Sequence, residues 1–176
     1  RRLAYDPLNG FETLGLVTEV PMTLVARRNF PANNLKEFID YARRNPDKIS
    51  YGSAGAGSPH HLAMELLKVN AGLHMVHIPY RGAAPALTDL AGGQVQAMMV
   101  DVAAGAGFLK GGKIRALAVA NNTRLSQLPD VPTFAELGFK GVEAAAQVGV
   151  VAPAGTPAET VLALQKQIAA RSEERR

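Results

Sequence analysis

The spacing of apolar residues switches repeatedly between an alternating and a helical period. Leu14 to Arg27 (LGLVTEVPMTLVAR) is rich in β-branched residues and partly alternates, which predicts a strand with Pro21 at a bend or edge. Asn34-Leu-Lys-Glu37 forms a capping box, and Leu35, Phe38, Ile39 and Ala42 continue it as a helical stripe that Pro46 ends. Lys48 to Ser53 reads as a strand running into glycines. Ser58-Pro59 then opens a helix with a hydroxyl cap and a proline whose missing N–H costs nothing there. Leu62, Leu66, Leu67 and Val69 are the expected buried face of that helix, and Gly72 its stop.

The alternation continues to the end of the chain. Strands are expected at His74–Tyr80, Val95–Val100, Ile114–Ala120 and Val148–Ala152. Helices are expected around Pro85 up to Gly92-Gly93, and over Ala103–Lys110, Pro132–Leu137 and Pro157–Ala170. Strands separated by helices of moderate length imply right-handed crossovers. The expected fold class is therefore α/β, with a mostly parallel twisted sheet and helices on both faces. Ligands of such sheets lie beyond the carboxyl ends of the strands. Three clusters fall there: Gly52–Ser58, Tyr80–Ala84 and Asp101.

The first cluster, YGSAGAGSPHH, is the most informative stretch. A helix N-terminus presents unpaired N–H groups and a partial positive charge, and preceding glycines let further amides turn inward as an anion nest. Ser53, Ala54, Gly55, Gly57, Ser58 and His61 are candidate ligand contacts on that ground. Tyr80, Gly82, Ala83 and Ala84 bring a second turn to the same rim, where Arg81 is either a carboxylate clamp or a surface side chain. Asp101 ends an apolar strand, so it caps a helix, meets the ligand, or does both.

Other chemistries fit less well. A dinucleotide fingerprint needs a third glycine where His60 stands, and a Walker loop needs Lys and Ser/Thr where Ser58-Pro59 stand. Neither YGSAG nor GAGSP is a nucleophile elbow. Ser58 spends its oxygen on capping, and the helix dipole disfavours a charged His60 or His61. His60, His61, His74 and His77 make no metal-ligand spacing. No catalytic residues, metal or cofactor are assigned.

Composition narrows the field further. With 176 residues, 47% hydrophobic and only 19% charged, the chain has enough apolar material for a real core. Its net charge of +4 lies in scattered arginine pairs rather than a run, which argues against nucleic acid yet suits an anionic small ligand. The absence of cysteine removes disulfides, thiol nucleophiles and thiolate metal sites. No apolar run approaches a membrane span.

The segment from ISYGSAGAGSPHHLAMELLKVNAGLHMVHIPYRG to AMMVD closely resembles the tripartite tricarboxylate transporter receptors, the Bug-type periplasmic solute-binding proteins. YDPLNGF, GKIRALAVANNTRLSQLPDVPTFAELGF and VAPAGTPAETVLAL extend the resemblance over almost the whole chain. It implies a lobe of the type II periplasmic-binding fold and a noncatalytic, periplasmic receptor role. The implied ligand is a small organic carboxylate: a di- or tricarboxylate or an amino acid. The implied protein partners are cognate membrane transporter subunits.

It further implies that Gly52–Ser58 hold a carboxylate, with the Tyr80–Ala84 turn and Asp101 beside the same cleft. On this resemblance residues 1–24 are an entering linker and hinge strand and 25–146 the ligand-binding lobe. Residues 147–176 are a return hinge strand and the start of a truncated first lobe. Gln147 and Val100 stand where the family often has aromatics. A lobe lacking its partner is expected to bind weakly, to bare the apolar surface of Leu14–Val25 and Val148–Val161, and to form homo-oligomers. An effector domain of a regulator and an α/β enzyme are the alternatives.

Overall fold

A computed structural model describes residues 3–173. Eleven elements follow in the order β1 (Phe11–Arg27), α1 (Leu35–Arg44), β2 (Ser50–Ser53), α2 (Pro59–Ala71), β3 (Val76–Pro79), α3 (Ala83–Gly92), β4 (Ala97–Asp101), α4 (Val102–Lys110), β5 (Ile114–Ala120), β6 (Ala145–Pro153) and α5 (Ala158–Glu173). They form two compact units, one of residues 20–146 and one combining the chain up to Glu19 with the chain from Gln147.

The larger unit is built on the strand order β3-β2-β4-β1-β5. β2 runs parallel to both β3 and β4, while β1 is antiparallel to β4 and to β5. Four strands thus share one direction and β1 runs against them, a mixed sheet. The placement of β1 explains its sequence. Bonded on both sides, Met22 to Ala26 is buried at every position, so a continuous buried run replaces simple alternation.

Side-chain parity divides the core into two layers. Ala97 and Met99 of β4 join Met22, Leu24 and Ala26 of β1 in the layer under α1 and α2. Met98 and Val100 join Val25 in the layer with Ala86, Leu87 and Leu90 of α3. Helices therefore cover both faces.

Local signals set the helix ends. Asn34 Oδ1 accepts from Glu37 N at 2.9 Å, and Glu37 Oε2 accepts from Asn33 N at 2.7 Å, a box displaced by one residue from the usual reciprocal pair. Asn34→Ala is expected to lower stability by about 1 kcal/mol, read as a urea-unfolding free energy. Gly72 and Gly93 close α2 and α3 in the left-handed conformation.

Three expectations are corrected. The buried face of α2 is His60, Ala63, Met64, Leu67 and Ala71, whereas Leu62, Leu66 and Val69 are exposed. Pro132–Leu137 is a turn rather than a helix, because its backbone bonds β5: Val119 N donates to Pro132 O and Phe134 N to Val119 O. Leu14, Met22, Leu24 and Val25 are buried, so only Leu16 and Val17 of the Leu14–Val25 stretch are bare large apolar side chains.

In the smaller unit, Ala154 N donates to Gly10 O, and Gln165 Nε2 of α5 donates to Thr13 O. Leu16, Val17, Val148, Val151 and Leu162 stay exposed.

Candidate functional site

The parallel run β3-β2-β4 places three strand-to-helix corners side by side along one rim of the larger unit. Each strand feeds directly into α3, α2 or α4, so three helix N-termini meet there. None of the three carries an acidic residue in its first turn, unlike α1 with Glu37. The partial positive charges of α2 and α3 are thus left largely uncompensated, whereas the Asp101 carboxylate caps α4, so the α2–α3 part of the rim favours an anion.

The corners touch. Tyr80 N donates to Ser53 O at 3.0 Å and Gly82 N to Ala54 O at 3.2 Å. Gly55, Gly57 and Gly82 all adopt positive φ, and a side chain at Gly57 or Gly82 would meet only open space. There glycine is required by backbone conformation rather than by crowding.

Not every amide of the corner is available. Gly55 N donates to Ser53 Oγ, Gly57 N to His61 Nδ1, and Ser58 N to Gly55 O. Ser58 Oγ donates to Gly55 O at 2.7 Å and accepts from His61 N at 3.4 Å. Among the described residues, the amides of Ala54, Ala56, Ala83 and Ala84 donate to no protein group. All four lie at the solvent boundary, and Gly82 offers α3 no side-chain cap. The open donors thus include four alanine amides held in place by glycines, and the amides of His60 and Arg81 likewise donate to no protein group among the described residues.

The remaining candidates have structural ties. Ser53 is fully buried, with Oγ 2.7 Å from His77 Nε2. Asp101 caps α4, Oδ1 accepting from Ala104 N at 2.8 Å, and its Oδ2 lies 3.9 Å from His60 Nε2. Tyr80 donates its hydroxyl to Asp89 at 2.8 Å; burial and that carboxylate push its pKa up to about 12. Arg81 is exposed.

Behind the corner is a stack that single-strand reading misses. The His61 and His77 rings lie 3.9 Å apart and nearly parallel, with Tyr51 stacked on His77 at 5.0 Å. Tyr51 donates to Glu65, as does Lys68 at 2.7 Å. Burial opposes the charge on Glu65, but the Lys68 and Tyr51 bonds outweigh it and hold the carboxyl below its usual range. The Tyr51↔His77 register is what aligns the stack, and it becomes visible only once β2 and β3 are paired.

Burial also lowers His60 and His77 from the ordinary imidazole pKa, with His61 adding to the effect at His77. Unfolded histidines take up a proton near pH 6.5, whereas these folded rings resist it. The unfolded state then binds more protons as pH falls, so stability declines between about pH 7 and pH 5. His60→Leu should make that decline shallower in urea midpoints measured at the two pH values.

At the opposite rim, a cavity of about 550 Å³ is lined by Arg28, Lys110 and Arg115 with Leu109, Ile114 and Val131. Among the described residues no group of histidine, aspartate or glutamate could hold a metal, and no helix is long and apolar enough to cross a membrane.

A mixed sheet with helices on both faces and three strand-to-helix corners on one rim defines an α/β body. The family model described as "Tripartite tricarboxylate transporter family receptor" matches residues 1–174, and the chain belongs to that family. Its members are receptors rather than enzymes. The chain is 35% identical to a UPF0065 protein of Agrobacterium vitis over 156 residues, which is 89% of this chain and 45% of that protein. Periplasmic binding protein BugD superposes with a TM-score of 0.87 at 41% identity, over 97% of this chain and 59% of that one. Rpa4515 of R. palustris, solved with adipate, gives 0.90 at 38% identity, over 97% and 57%. The chain spans about half the length of the curated relatives it matches.

Proposed function

We propose that this chain is the carboxylate-gripping part of a periplasmic receptor that captures a small organic acid for a tripartite tricarboxylate-type transporter. The observation that carries the reading is the uncapped N-terminus of α3 beside the free amides of Ala54 and Ala56. Backbone N–H groups aimed at a helix-dipole rim suit a carboxylate, and they form charge-assisted bonds without a buried cation. Structures of related proteins with adipate and with malate support the same ligand class.

On an open rim these bonds compete with bulk water. Dissociation constants of about 1 mM or weaker are expected for the 176-residue chain. Calorimetric titration with succinate, adipate, citrate and aspartate, repeated on the full-length protein, tests this. Heat from at least one acid, without conversion of any, is the expected result. Turnover of any of them, or no heat from any with the full-length protein, overturns the reading.

The exposed Leu16, Val17, Val148 and Val151 of the smaller unit support self-association of this chain. Sedimentation is expected to show dimers or larger species as concentration rises. A monomer throughout contradicts that part.

A further inference from the structure

His60 stands out along the carboxyl rim. It is the second residue of α2 and only 9% exposed, and neither ring nitrogen has a hydrogen-bond partner among the described residues. Buried polar groups are normally satisfied, so an imidazole with both nitrogens shielded from solvent and idle is an exception that calls for a partner.

The neighbour is Asp101. Its register with Met22, and that of Met22 with Ala120, puts all three on the sheet face that α1 and α2 cover. His60 lies at the end of that layer, with Nε2 3.9 Å from Asp101 Oδ2. That distance is too long for a direct hydrogen bond. It does suit one bridging atom about 2.8 Å from each.

The chemistry restricts what the bridge can be. Asp101 Oδ1 is committed to the cap of α4, and as a carboxylate Oδ2 can only accept. Burial keeps the His60 ring neutral against the pull of Asp101, so Nε2 either donates or accepts according to tautomer. A carboxylate or ketone oxygen cannot donate to Oδ2. A hydroxyl can accept from Nε2–H and donate to Oδ2, and an ammonium can donate to both.

We propose that His60 and Asp101 form a polar subsite for a hydrogen-bond-donating substituent, hydroxyl or ammonium, on the acid whose carboxylate the alanine amides hold. The subsite rests on the receptor reading above and adds selectivity to it. Acids bearing such a substituent bind better than the same carbon skeleton without it.

Succinate, L-malate and L-aspartate share one skeleton and differ at a single carbon, so they form the test set. Each is titrated into the 15N-labelled chain, with the Ala83 and Ala84 amides reporting the seat and the His60 ring nitrogens reporting the subsite. Malate or aspartate is expected to bind about tenfold more tightly than succinate and to shift the His60 ring, which succinate leaves in place.

His60→Leu should equalise the three acids, while His60→Gln, which keeps a polar atom near Nε2, should retain part of the preference. Asp101→Asn keeps a side-chain cap and should weaken aspartate most. Amides that respond equally to all three acids, or a preference that survives His60→Leu, overturn the subsite and leave the seat standing. Amides that respond to no acid overturn both.

Discussion

Leu67→Ala is expected to cost about 2–5 kcal/mol of unfolding free energy, while Val69→Ala, two residues along the same helix, stays within about 0.5 kcal/mol. Leu67 is fully buried and Val69 is 82% exposed. The cavity left by Leu67 lies between α2 and the sheet, where Met64, Tyr51 and Met99 are themselves fully buried and cannot collapse freely into it. Urea denaturation of the two variants checks this. Equal losses would mean that α2 is rotated about its axis from the position described.

The second large effect concerns binding. Ala83→Pro removes one of the open alanine amides and little else. Position 83 is the first residue of α3, where proline is tolerated because no intrahelical bond is lost. The preceding Gly82 already has an extended ψ of 168°, compatible with a following proline. Losing a hydrogen bond to a carboxylate costs about 1.5–3 kcal/mol, so affinity is expected to fall by about tenfold to a hundredfold with stability nearly unchanged. Calorimetry on the full-length protein reads the affinity. Undiminished binding by a folded variant would place the carboxylate elsewhere.

His60→Leu links the site to its cost. Replacing an unpartnered buried imidazole with an apolar side chain of similar size is expected to raise stability by about 1 kcal/mol in the absence of ligand. A functional polar group kept at the expense of the fold behaves in this way.

The sequence made much of the scaffold legible because several elements are set by short-range rules. The Asn34 box, the Ser58-Pro59 start and the glycine stops depend on residues within a few positions of one another, and all sit where their chemistry puts them. What stayed hidden depends on partners distant in sequence. α2 carries two apolar stripes of helical period, one of leucines and one of Ala63, Met64, Leu67 and Ala71. The sheet selects the second, with small residues that permit close approach. The direction of β1 has no sequence signature; it follows from Met22–Ala26 pairing antiparallel with β4 and β5. Pro132–Leu137 carries helix-compatible residues, but β5 captures its backbone first.

The site shows the same division. Three corners on one rim follow from strand–helix alternation, and the glycines marked the first of them. Which amides remain open was not readable, because Gly55, Gly57 and Ser58 are tied off by Ser53, His61 and Gly55 through folded geometry. The small residues between and beyond the glycines, Ala54, Ala56, Ala83 and Ala84, are left as donors.

Amide-resolved NMR of the 176-residue chain during a dicarboxylate titration addresses the claim directly. The backbone signals of Ala54, Ala56, Ala83 and Ala84 should move together and saturate, while those of α1 and β5 stay in place. Saturable movement confined to the basic cavity around Arg28 and Arg115, with the four alanines still, would contradict it.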